Sequence, residues 1–227
     1  MFRLRESHLA SPTHVVVRGG ADTVSAFGAL GFLPIAVVPG AAELAVAGDG
    51  GRGRVVVDEQ ARAARGPIAI DIYTTDLDAT VDSAVGAGWT LSGRAPIELG
   101  PLVMQQAMLL GPDRLRVVAI DANLRRPSLL DTDPMRRTSE VHSMVWQVGE
   151  HFDAAVEFWR DTVGLPLAFD APVDHPGVAK VMDLPAGWGV RMAMFSDDEQ
   201  RPARFELLAH LGDDVPCLLY TSPSPRD

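Results

Sequence analysis

Cysteine, lysine and long apolar runs are all scarce in this chain of 227 residues. The one cysteine, Cys217, can make neither an intramolecular disulfide nor a thiolate metal site. No nucleophile triad can be proposed, with no cysteine to serve as its nucleophile. Lys180 is the only lysine, and the arginines are scattered rather than gathered in a stripe. Asp plus Glu total 30 against 20 for Lys plus Arg, a formal charge of -10, so nucleic acid would meet net repulsion. No apolar run approaches the roughly 20 residues that cross a bilayer. The opening MFRLRESHLASP lacks the apolar core of a secretory signal. These absences predict a cytoplasmic protein with neither nucleic acid nor membrane as a partner.

What remains is an ordinary globular composition, 47% hydrophobic and 22% charged, long enough for one large domain or two small ones. Its most informative stretch is EVHSMVWQVGEHFDAAVEFWRDTVG at 140–164. Period-two alternation predicts a strand with His142, Met144 and Trp146 on one face. Phe152, Ala155, Val156, Trp159 and Val163 then make one apolar helical stripe. The same strand-then-helix phrase occurs twice before. Residues 13–19 read as a strand, 21–32 as a helix ended by Gly31, and 34–38, 42–47 and 54–58 as strands. Residues 68–73 read as a strand, followed by a helix capped by Asp76 and by strands at 90–94, 103–110 and 115–120. After the 140–164 phrase come strand candidates at 166–170, 179–184, 190–195 and 204–210.

The chain is therefore expected to be α+β, with tandem βαβββ units at 10–60, 67–121 and 139–213, and with 122–138 as a polar linker. Units one and two are expected to pair as a first domain over 10–121, leaving the third as half of a second. The last eleven residues, CLLYTSPSPRD, depart in style from the rest and resemble the translation of a sequencing adapter. A disordered, non-native tail at 217–227 and a chain truncated near Pro216 are the corresponding expectations. A missing fourth unit would then explain the unpaired third; a homodimer or an exchange of units between chains is the other way to cover it.

SEVHSMVWQVGEHFDAAVEFWRDTVGLPL, DLDATV at 76–81, Gly88-Trp89 and RFELL at 204–208 together resemble the vicinal oxygen chelate superfamily, over about residues 10–212. That superfamily contains glyoxalases, bleomycin-resistance proteins and extradiol dioxygenases. The resemblance implies paired βαβββ units curled into half-open cups, helices outside, with a His from a first strand and a Glu from a last strand on one divalent metal. Such ligands suit Fe, Mn, Zn, Ni or Co. His142 and Glu206 stand at those positions, and His14 stands at the first-strand position of unit one. Unit two offers Pro67 and Arg116 where ligands would be expected, and unit one has only Asp58 nearby.

Met144, Trp146 and Trp188 are candidates for a substrate wall. His210 reads as a rim residue, His175 as a loop residue and His151 as a helix cap. The residues themselves leave plainer readings open: a hydrogen-bonded structural His142, or a Glu206 facing water or paired with Arg191 or Arg204. The function implied is a metal-dependent lyase, isomerase or dioxygenase acting on a small molecule with vicinal oxygens. The alternative is a protein that binds a small molecule or drug in an apolar cup, as bleomycin-resistance proteins do.

Overall fold

In a computed structural model, residues 14–46, 52–61, 68–99, 101–112, 115–124, 126–133, 135–185, 187–196 and 204–211 are described. The suspected adapter tail, Pro67 and residues 47–51 lie outside them. The first unit is β1 (His14–Arg18), α1 (Ala21–Ala29), β2 (Phe32–Val38), β3 (Ala41–Val46) and β4 (Arg54–Asp58). The second is β5 (Ala69–Thr74), α2 (Leu77–Gly86), β6 (Thr90–Leu99), β7 (Leu102–Leu110) and β8 (Arg116–Asp121). The third is β9 (Thr138–Gln147), α3 (Phe152–Glu157), β10 (Leu167–Val173), α4 (Pro176–Val181), β11 (Gly189–Phe195) and β12 (Arg204–Leu211). The α+β class and the curled sheets follow the expectation. No helix among the described residues is long and apolar enough to cross a membrane.

Which units pair differs from the expectation. β1-β4-β3-β2 form one four-stranded sheet by themselves. The second and third units share an eight-stranded sheet, β10-β11-β12-β9-β5-β8-β7-β6, joined by the antiparallel pair β5–β9. Burial explains the choice. All six residues of β5 are buried, as are the first eight of β9, so both strands need cover on two faces and belong in the middle of a sheet. β1 alternates exposed and buried, as the edge of a sheet with one covered face does.

One further expectation fails. Residues 179–184 are not a strand, because 176–181 form α4. Pro176 starts that helix at the position where its missing N–H costs nothing, and the His175 imidazole accepts from Gly177 N at 3.0 Å. His175 is thus a working cap, while His151 caps nothing with its side chain. The third-unit helix begins as α3 but winds on as a π-helical turn over Phe158–Val163, and Gly164 ends it at φ +83°.

The first unit lies against the outer face of the larger sheet. Phe27, Phe32, Leu44 and Val55 share a core with Ile70, Ile72, Val81, Trp89, Val117 and Val141. Trp89 Nε1 donates to Ala26 O at 3.0 Å, Thr138 Oγ1 to Leu30 O at 2.6 Å, and Val141 N to Gly53 O at 3.0 Å. On the other side of the small sheet Leu33, Ile35, Val37 and Val38 are each more than half exposed.

Gly53 is the tightest point of this docking. It sits at φ +65°, and a Cβ there would stand 2.6 Å from both Val141 O and Glu140 Cγ. Backbone strain and a clash against a backbone oxygen act together. Gly53→Ala is expected to destabilise the fold by about 2–3 kcal/mol, lowering the melting temperature by several degrees in a thermal unfolding scan.

Candidate functional site

The concave side of the eight-stranded sheet encloses a cavity of about 390 Å³. Its walls are apolar, with Met104, Met108, Met192, Met194, Phe169 and Leu102 among them. Aspartate, tyrosine, histidine, glutamate and arginine side chains (Asp71, Tyr73, His142, Glu206, Arg126 and Arg116) interrupt this lining. Four of them, Asp71, Tyr73, His142 and Glu206, are at most 5% exposed, from the three strands β5, β9 and β12.

Local irregularity in β9 puts His142 there. Asp71 faces Ser143 across the β5–β9 pair, but the next residue, Ile72, faces Val141. His142 is therefore the extra residue of a β-bulge, which turns it to the cup side together with Ser143. Beyond the bulge the alternation restarts with Val145 on the cup side, leaving Met144 and Trp146 on the opposite face. Met144 packs against the first unit, and the Trp146 ring lies 4.6 Å from Phe205. Neither lines the cavity, contrary to the substrate-wall expectation, since period two does not survive a bulge. Trp188 is also absent from the lining; its nearest ring is that of His210, at 6.4 Å.

On β12 the alternation holds. Phe205 and Leu207 pack outward with Phe195 and Trp146, so Glu206 and Leu208 face the cavity. The structure therefore brings His142 and Glu206 together. It does not bring in His14, which is exposed on β1 of the other sheet, nor Asp58, which ends β4 there and caps Gln60 N at 2.8 Å.

Ser143 ties the cluster. Its Oγ lies 2.8 Å from Asp71 Oδ2 and 3.1 Å from His142 Nδ1. Which of Nδ1 and Oγ donates follows the tautomer of the ring. Nε2 is buried and without a hydrogen-bond partner. Burial holds the imidazole neutral, pushing its pKa well below the usual value, and the nearby Arg204 and Arg126 add to this. The ring lies flat on Tyr73, centroids 3.9 Å apart.

Burial also raises Asp71 well above the ordinary carboxylate range, and the neighbouring Glu206 raises it further, against the Ser143 hydrogen bond. Glu206 is raised by burial, with Ser143, Arg126 and Arg204 opposing. Burial thus works against ionisation of both carboxyls, and the charge on Glu206 works further against that on Asp71.

The stretch expected to be a linker supplies the cluster's surroundings. Arg126 N donates to Tyr73 OH at 3.1 Å, Leu129 N donates to the buried Glu140 carboxylate at 3.0 Å, and Leu130 is buried. Fully buried Arg204 reaches back to Pro127 O at 3.2 Å. Sequence reasoning missed Asp71, Tyr73, Ser143 and Arg126. Asp71 could have been found, because a charged residue inside the apolar run AIDIY is the same signal that marks Glu206 in RFELL.

Among the described residues no three His, Cys, Asp or Glu side chains form a group that could hold a metal ion. Asp71 Oδ2 instead accepts from the Ser143 hydroxyl. The residues as packed do not fit the divalent metal that the family resemblance implies.

No family model and no curated protein matches the sequence. Among solved structures the chain is similar to glyoxalase I from Zea mays, 16% identical, with a TM-score of 0.60 over 89% of this chain and 68% of that one. It is also similar to a mutant of 4-hydroxymandelate synthase from Streptomyces coelicolor, 14% identical, TM-score 0.51 over 89% and 71%. At such identities the likeness is one of fold. The chain has the curled βαβββ fold that its resemblance to vicinal oxygen chelate proteins implied.

The raised carboxyls carry a stability signature. A carboxyl with a raised folded pKa stabilises most below its unfolded value and loses that contribution as pH rises through the folded one. Asp71→Asn is expected to raise the melting temperature at pH 8 by about 3 °C, with the gain shrinking to nothing near pH 4. Thermal unfolding across that range checks it.

Proposed function

We propose that the cup is the site of a vicinal oxygen chelate-type enzyme that moves a proton on a small oxygenated organic molecule, a lyase or isomerase. One observation carries this: a buried His142 Nε2 without a hydrogen-bond partner, in the same apolar cavity as two buried carboxyls, Asp71 and Glu206. Ionisable groups are costly to bury, and their concentration in a cleft is the mark of a functional site.

The apolar walls hold the body of the ligand and keep water away. Nε2 takes a proton from the carbon beside a carbonyl, and the electron pair of that C–H bond moves into the carbonyl. The carboxyl proton passes to the carbonyl oxygen, giving a neutral enol; return of a proton to carbon completes an isomerisation. Neutral imidazole is a weak base here, so the simultaneous gift of the carboxyl proton is what makes its task possible. Tyr73, stacked on the ring, fixes the direction of the lone pair.

The second reading is a passive binder of the bleomycin-resistance type, favoured by the apolar lining. Proton NMR in heavy water separates the two. With small 2-oxo and 2-hydroxy carbonyl compounds, exchange at the carbon next to the carbonyl is expected in the wild type. It should fall about 100-fold or more in His142→Gln. Binding with no exchange would establish the passive binder. Equilibrium dialysis with Fe, Mn, Zn, Ni and Co salts tests the metal expectation directly. Stoichiometric uptake abolished by both His142→Ala and Glu206→Gln would replace the acid–base reading with a metal-bound one.

A further inference from the structure

We infer that the molecule taken up by the cup is an organic carboxylate, held by its carboxylate on Arg126 with an apolar body against the methionine-rich wall. This rests on the reading of the cup as a small-molecule site and names the class of molecule. Arg126 lines the cavity, and its Nη1 is buried with no hydrogen-bond partner. A guanidinium N–H left without an acceptor in a buried place is costly, which marks a position where a ligand supplies one.

The lining is mixed in charge. Arg126 and Arg116 share it with the carboxyls Asp71 and Glu206, and Arg204 is fully buried. Glu140 is also buried, and its carboxylate is engaged by Leu129 N. The place for an anionic group of a ligand is the cavity side of Arg126, whose Nη1 has no partner.

Shape selects a carboxylate over a phosphate. Outside this cluster the wall offers methionine, leucine, isoleucine, valine and phenylalanine, with Gln106 the one further polar side chain, too few donors to satisfy three phosphoryl oxygens. A planar carboxylate matches the planar guanidinium fork and leaves the rest of the molecule free for apolar contact. Arg126 is fixed for this role by its own backbone, whose N–H is held by Tyr73 OH, the ring that also supports His142.

Calorimetric titration of the full chain with three matched probes tests the inference: 4-phenylbutyrate, its neutral amide 4-phenylbutanamide, and 3-phenylpropylphosphonate. The wild type is expected to bind the carboxylate at least about 10-fold more tightly than the amide, and more tightly than the phosphonate. Arg126→Gln should erase the preference for the carboxylate while leaving amide binding within about twofold, which shows that the cup is still folded. Arg126→Lys should recover part of it. Equal binding of carboxylate and amide by the wild type overturns the carboxylate inference and leaves the cup reading standing. Tighter phosphonate binding overturns the choice of carboxylate. Failure of all three probes to bind at millimolar concentration overturns both readings.

Discussion

Ser143 Oγ is a single hydroxyl with two claimants. Asp71 and His142 reach it from β5 and β9, Glu206 of β12 lines the same cavity, and each of the three is expensive to bury. The three strands are neighbours in one sheet, so this small network sits on the line where two βαβββ units meet. A slip of one residue along the β5–β9 pair would turn these polar groups into the core shared with the first unit. The bulge at His142 is the device that prevents this. It lets adjacent residues, imidazole and hydroxyl, face the cup together while Val141 and Met144 keep the outer face apolar.

The cup depends in turn on what covers its back. Burying β5 and β9 on both faces requires another layer, and the first unit provides it through Phe27, Leu44 and Val55 and through three backbone acceptors, at Ala26, Leu30 and Gly53. The first unit is thus a buttress for the sheet that carries the site. This arrangement explains why its own first strand offers His14 at an exposed position, far from the polar cluster in topology.

Electrostatics gives the cup its character. Burial, and after it Arg204 and Arg126, lowers the basicity of His142; burial raises Glu206, and the same two arginines oppose that rise. An imidazole and two carboxyls with shifted basicity thus line one apolar cavity. The same burial that costs stability supplies the chemistry.

How much of this was legible in the sequence varied with the range of the interactions. Local patterns held at several points and failed at 179–184 and at His151. Asp76 as a cap, Gly31 as a helix end, and the alternation that points Glu206 away from Phe205 and Leu207 all depend on neighbours a few residues away. The repeat and the family resemblance, both sums of such patterns, identified the fold class. Pairing of the units was not legible. β1, β5 and β9 are all short apolar strands, and only competition for two-sided cover decides which two become central. The bulge was equally hidden, because a one-residue excess in β9 exists only relative to β5. Met144 and Trp146 were misplaced for that reason. So was Arg126, which lies in a polar stretch that reads as a linker until the sheet closes over it. The sequence by itself determined the units, their ends and two members of the site. Tertiary structure decided the partners, the register and the remaining members, because long-range burial has no local signature along a chain.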